Sequence, residues 1–172
     1  AEFSAISILG KLVYFSSIMT ASVLFARLAN EMEEKSQIKS LKITLRFSIS
    51  IGLFISILFF LFSDLIISLT VGEQYLSVSR YIAPYGLCMT SFAFVYMVAN
   101  FFISNEDYKF VYILLLSTIL QILSFVFRNE SLDMVMLNQY VVYGFMAFST
   151  LVYLIFKLRN KNNERGKGKK ES

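Results

Sequence analysis

The sequence predicts an all-α membrane protein with five transmembrane helices. Two long apolar runs, 47–69 and 82–103, flank the short stretch Thr70-Val71-Gly72-Glu73-Gln74-Tyr75. The first run has 23 residues and one formal charge, Asp64; the second has 22 residues and none. At 1.5 Å per residue each makes a helix of about 33 Å, enough to cross a hydrocarbon core of about 30 Å. The whole chain is 56% hydrophobic and only 16% charged, whereas a soluble domain lies near ~45–50% and ~25%. Its Lys and Arg lie almost entirely outside the apolar runs, and they partition to one side of a five-span arrangement.

The first span covers about 5–25. At 100° per residue, Ser4, Ser7, Gly10, Lys11, Tyr14, Ser17, Ala21 and Ser22 fall on one side, and Ile8, Leu9, Leu12, Phe15, Met19 and Val23 on the other. In a bilayer the aliphatic side is expected to face lipid, and the small, polar side to face protein or a cavity. The charged connector Arg27–Arg46 follows, with no Pro or Gly. Asn30 and Glu33 have capping-box spacing, so a short surface helix over about 31–42 is expected.

The second span, 47–69, carries Ser48, Ser50, Gly52 and Ser56 in its first half. Small residues of this kind permit close helix packing. Asp64 falls near the far interface, where it is either a wetted structural carboxylate or a proton carrier. Gly72 then suits a turn, because glycine accepts the positive φ that commonly ends a helix. The third span, 82–103, has Pro84 in its first turns, where proline is tolerated or produces a kink. Tyr81, Tyr85, Cys88, Phe92 and Tyr96 share a face there, either as packing aromatics or as a cavity wall. Asn105-Glu106-Asp107 is a turn signal. The fourth span, 110–127, has Gln121 in its middle. The fifth, 135–156, opens with Asn138, Gln139, Tyr140 and Tyr143. The basic tail, 157–172, contains glycines and dense charge and is expected to be disordered beyond its first turn.

With five spans, the connector cations Arg27, Lys35, Lys39, Lys42 and Arg46, then Lys109, then the seven tail cations share one side. Only Arg80 and Arg128 lie opposite, with Lys11 inside the first span. The positive-inside rule therefore puts the tail in the cytoplasm and the Gly72 turn outside. The net charge of +4 sits at helix ends and in the tail, so nucleic acid is not an expected partner. One Cys and no His argue against a zinc site or a Cys/His nucleophile. No cofactor is expected, and no leader peptide is read at the start, where a basic n-region is missing. The chain is expected to be a fragment of a longer one, with further N-terminal helices preceding it.

The run LIISLTVGEQYLSVSRYIAPYGL resembles the segment of polysaccharide flippases in which an apolar helix ends in a Gly-x-x-Tyr turn, here Gly72 and Tyr75. Upstream, 4–28 ends in Val23-Leu24-Phe25-Ala26-Arg27-Leu28, similar to the family's helix ending in Phe-Pro-Arg-Leu. Ala26 stands where the family often has proline, a departure at the point where proline would break the helix. The charged connector matches in length and character. The family is the polysaccharide-exporter branch of the multidrug/oligosaccharidyl-lipid/polysaccharide (MOP) exporter superfamily. The likeness covers about 1–104, and for the last two spans it rests on topology alone.

This resemblance implies a MATE-like fold of 12 to 14 helices in two pseudo-symmetric six-helix lobes around a central cavity. The chain here corresponds to five of the six helices of the second lobe. The implied activity is transport, by alternating access of the lobes, of a lipid-diphosphate-linked oligosaccharide across the cytoplasmic membrane for polysaccharide biosynthesis. Alternatives are a drug or cation exporter of the same superfamily, a carrier of the peptidoglycan lipid precursor, a non-transport membrane subunit, and a membrane-embedded glycan enzyme. The last would need paired carboxylates, metal ligands or a large soluble loop, and none is evident, so the chain is not expected to be an enzyme.

The candidate substrate site is Lys11 with Ser7 and Tyr14 on its stripe, and Tyr85 as a possible sugar-stacking wall. From the predicted span, Lys11 sits about 8–9 Å below the outer end of its helix. It either snorkels to the headgroups or lines the cavity and binds a diphosphate.

Overall fold

The computed structural model describes residues 2–28, 34–127 and 130–168. They form α1 (Glu2–Leu28), α2 (Glu34–Leu61), α3 (Ser63–Thr70), α4 (Ser79–Ser104), α5 (Val111–Phe127) and α6 (Leu132–Gly168). Short 3-10 segments, Glu73–Val78 and Tyr108–Phe110, lead into α4 and α5. No strand occurs among the described residues. Five stretches are long and apolar enough to cross a membrane: Glu2–Met19, Ser36–Leu61, Glu73–Ser104, Tyr108–Phe127 and Leu132–Arg159. The fold is all-α, and its five apolar helices make it a multi-pass membrane protein.

The axis of the bundle is α4. Fifteen of its 26 residues are buried, against one of 17 in α5, so α4 is enclosed by protein while α5 faces outward along most of its length. Around α4 pack α1, α2 and α6; α5 packs chiefly against α6. Large apolar side chains left exposed, among them Phe60, Leu116, Ile119, Val126 and Phe148, form the surface expected to meet acyl chains.

The pairing of α2 with α4 rests on small residues in reciprocal positions. A methyl group on Gly52 would sit 2.5 Å from the Thr90 side chain, and one on Gly86 would sit 2.9 Å from Ser56 Oγ. The Ser56 hydroxyl donates to the Gly52 carbonyl at 2.8 Å, and the Thr90 hydroxyl to the Gly86 carbonyl at 2.9 Å. Each helix thus offers a small residue four positions from a hydroxyl that bonds its own backbone. The polar atoms are satisfied and the backbones approach closely, which is how helices associate where lipid provides no hydrophobic drive. On the α1 side, Ser48 Oγ donates to the Ser17 carbonyl at 3.1 Å, tying α1 to α2.

The turns follow sequence chemistry. Gly72 has φ 108° and ψ 154°, a region open essentially to glycine alone, as the sequence predicts for this turn. The N–H groups of Val71 and Gly72 both donate to the Ile67 carbonyl at 2.9 Å, closing α3. The α4–α5 corner is a Schellman motif: Asp107 N donates to Phe102 O at 2.9 Å and Glu106 N to Ile103 O at 3.1 Å. Its left-handed residue is Glu106, at φ 58°. Ser131 caps α6, accepting from Met134 N on its Oγ at 3.3 Å.

Four expectations are corrected. No separate surface helix precedes the second span: from Glu34 onward the connector is continuous with α2, since nothing between Glu34 and Leu61 outranks helix propagation. The proposed capping pair Asn30 and Glu33, and the first residues of the 31–42 segment, lie outside the described residues. The second span is instead broken at Phe62 (φ −127°, ψ 31°), beyond which α3 continues. Leu9, assigned to the lipid side of α1, is fully buried, because α1 packs against both α2 and α4 and its covered arc is wider than the small residues alone. Finally, α6 remains helical to Gly168, about 55 Å at 1.5 Å per residue. The sequence predicted disorder beyond the first turn of the tail; 157–168 continue the helix instead, and 169–172 lie outside the described residues.

Candidate functional site

The residues singled out on α1 divide between its covered and open arcs. Ile6, Leu9, Val13 and Ser17 are buried, and Gly10 lets the Tyr85 ring lie directly against the α1 backbone. Ile8, Leu12, Phe15 and Met19 are exposed, as predicted for the lipid side. Ser7 and Tyr14 are half-buried at the boundary, while Ser4 and Lys11 are exposed. Lys11 makes no ion pair or hydrogen bond among the described residues. Lys11 lies within the apolar stretch Glu2–Met19.

Behind Lys11 the structure assembles a polar and aromatic seam from four helices. The Ser7 hydroxyl is within side-chain hydrogen-bonding reach of the Tyr85 phenol. Tyr14 packs on Phe92 with ring centroids 5.2 Å apart, and Phe92 packs on Tyr143 at 5.7 Å. Tyr143 is hydrogen-bonded to Gln121, whose Nε2 also donates to Gln139 Oε1 at 3.4 Å. Asn138 Nδ2 donates to the Ser124 carbonyl at 3.1 Å. Hydroxyls and amides thus run from α1 across α4 to α6 and α5. Such groups inside a membrane bundle join helices or meet a polar ligand.

Tyr85 differs from its predicted setting. It is 95% buried, at 5% relative exposure, with Phe3 edge-on to its ring at 6.2 Å. It fills the space above Gly10 and presents no open face in this conformation. Tyr143, Gln121 and Gln139 were noted in the sequence only as polar residues within spans. The spacing of Gln139 and Tyr143, four apart on one face, was the available signal. It did not show that Gln121 of a neighbouring helix would meet them. Gly72 and Tyr75, the turn signature, lie at the Gly72 end of the bundle, with Gly72 in the turn and Tyr75 in the 3-10 segment beyond it.

Each end of the bundle has its own polar cluster. At the Gly72 end, Arg80 pairs with Asp133 at 3.3 Å, and Tyr81 donates to the same carboxylate. At the tail end, Lys157 Nζ lies 2.6 Å from Asp107, and the Tyr153 hydroxyl donates to that carboxylate at 3.0 Å. Burial alone would raise the Asp107 pKa; hydrogen bonds from Lys157 and Tyr153 outweigh it and hold the carboxyl below its ordinary value. Among the described residues no group of three or more His, Cys, Asp or Glu could hold a metal ion. No family model, curated protein or solved structure matches this chain.

Proposed function

We propose that the chain forms part of a transporter that moves a lipid-diphosphate-linked oligosaccharide across the cytoplasmic membrane, with its basic tail on the cytoplasmic side. In this reading it supplies five helices of one lobe, and the Lys11 flank of α1 faces a second set of helices across a cavity. No chemical step is assigned to it.

The observation that carries the reading is Lys11 itself. An ammonium inside an apolar membrane-spanning stretch, Glu2–Met19, must snorkel or find a polar partner. It is unpaired and exposed among the described residues. Charges at such depth normally face a bundle interior or a watered cavity, so the flank of α1 needs a polar neighbour outside these five helices. Ser4, Ser7 and Tyr14 lie beside it and offer hydroxyls to the same space. A diphosphate supplies the countercharge, and sugar hydroxyls match the donors and acceptors of the seam.

The test is transport by the full-length protein with Lys11→Ala. Membrane insertion and abundance are expected to be unchanged while most export is lost. Lys11→Arg is expected to retain part of it, because guanidinium keeps the charge but changes its geometry. Normal export from Lys11→Ala at matched protein level would overturn the binding role.

A further inference from the structure

We infer that the groove between α2 and α6 holds an anionic phospholipid of the leaflet at the tail end, with its phosphate on Lys42 and Arg46 and one acyl chain lying against α4. The inference uses neither Lys11 nor the seam, so it stands apart from the transport reading.

Gly52 lies against Thr90 and Gly86 against Ser56, so α2 and α4 are antiparallel. Therefore α2 begins where α4 ends, at the Asp107–Lys157 end of the bundle. There its outer side carries Lys39, Lys42 and Arg46, all exposed, while Ile38, Leu41 and Leu45 pack into the core. At 100° per residue the three cations, with Ile49 and Leu53 after them, fall within an arc of about 80°. Among the described residues none of the three makes an ion pair. A row of exposed cations at the end of a membrane-spanning helix attracts anionic headgroups. The Arg46 guanidinium can grip a phosphate with two N–H groups, and the Lys42 ammonium adds a point charge.

One turn further along the same row the surface turns apolar and concave. Ile49 and Leu53 of α2, Leu87 and Phe94 of α4, and Phe148 and Leu151 of α6 line a groove of about 370 Å³. It exists because α2 and α6 both pack on α4 but scarcely on each other. Thr90 and Ser91 also line it. Their hydroxyls donate to the Gly86 and Leu87 carbonyls at 2.9 and 3.0 Å, which leaves no unpaired donor in the lining. Such a surface suits hydrocarbon and penalises a polar chain. The groove residues of α4 lie about 150° around that helix from Phe92, the residue that packs on Tyr14, so groove and seam occupy different sides. An apolar helix or a second copy seated in the groove would leave the cations beside it without a countercharge. A lipid with a phosphate head and an apolar chain satisfies both parts at once.

Native mass spectrometry of the full-length protein, titrated with dioleoyl phosphatidylglycerol or dioleoyl phosphatidylcholine, tests this. The first phosphatidylglycerol is expected to bind more tightly than the first phosphatidylcholine. Each cation near a headgroup is worth about fivefold in affinity, so Lys42→Gln with Arg46→Gln is expected to weaken phosphatidylglycerol roughly 30-fold and abolish the preference. Lys109→Gln, which removes an exposed cation at the same end but outside the row, is expected to change nothing. Ser91→Phe, which fills the groove, is expected to weaken both lipids. Equal affinities in the parent overturn the proposal, as does a Lys109→Gln effect as large as that of the double variant, or full binding by Ser91→Phe. So does the absence of any bound phospholipid, the result expected if another helix or a second copy covers the groove. Should Ser91→Phe fail to accumulate, Phe148→Ser, at an exposed wall position, decides in its place.

Discussion

Replacing Gly52 with alanine tests the packing that holds the bundle together. The new methyl would lie 2.5 Å from Thr90 Cγ2 and Oγ1 and 2.9 Å from Thr90 Cβ. Rotation about the Thr90 side-chain bond can move the first two atoms but not the third, and it would also break the hydroxyl's bond to the Gly86 carbonyl. The helices must therefore separate. Overpacking of this kind costs about 1–3 kcal/mol, and the better helix propensity of alanine offsets up to about 1 kcal/mol. The expected net loss reaches about 2 kcal/mol, or roughly 30-fold in the folded-to-unfolded ratio. Gly86→Ala is the internal control. There the nearest atom is one rotatable hydroxyl, Ser56 Oγ at 2.9 Å, with the Phe59 ring next at 3.5 Å, so the two terms are expected to cancel.

The assay is reversible unfolding of the full chain in mixed micelles, run as a double-mutant cycle with Thr90→Ala. Removing the γ atoms of Thr90 is expected to recover most of the loss, with a coupling of at least about 0.5 kcal/mol. If Gly52→Ala is as stable as the parent, or if the two substitutions simply add, the clamp does not exist as described.

At the α4–α5 corner, Glu106→Gly is expected to stabilise the protein by up to about 1 kcal/mol, because glycine occupies the left-handed conformation without a Cβ penalty; the same unfolding assay checks it. The Asp107 carboxyl is depressed by Lys157 and Tyr153, so its contribution is fully present above the ordinary carboxylate value of about 3.9 and lost as pH falls through the lower folded value. Asp107→Asn is expected to flatten that acid limb of the stability–pH profile and to lower stability at neutral pH; an unchanged limb would show that the carboxylate is not coupled to folding.

The number of spans was legible because membrane burial writes itself as length and hydropathy, and both survive without any knowledge of packing. The Gly72 turn was legible for a similar reason: one backbone conformation admits one residue type. Phe62 was not: Ser63 and Asp64 just beyond it are residues that suit the first turn of a helix, but within a long apolar span Asp64 reads only as a carboxylate near the interface. Nor did the α1 wheel show which arc was covered. A helix between two neighbours buries more than one stripe, and so Leu9 moved from lipid to core.

The candidate site shows the same division more sharply. Lys11, Ser7 and Tyr14 could be grouped from α1 alone, because helical spacing places them on one stripe. Tyr85 could be placed on a face of α4, but whether that face was open depended on Gly10 of another helix, which receives its ring. Gln121 needed partners from α6, Tyr143 and Gln139, that no single-helix pattern can supply. Chemistry that lies along one helix is readable from its period, whereas chemistry made by several helices depends on their register. Here that register is set by contacts as small as Gly52 against Thr90. A substitution that shifts those helices is therefore expected to disturb the seam as well as the core, while leaving the α1 stripe intact.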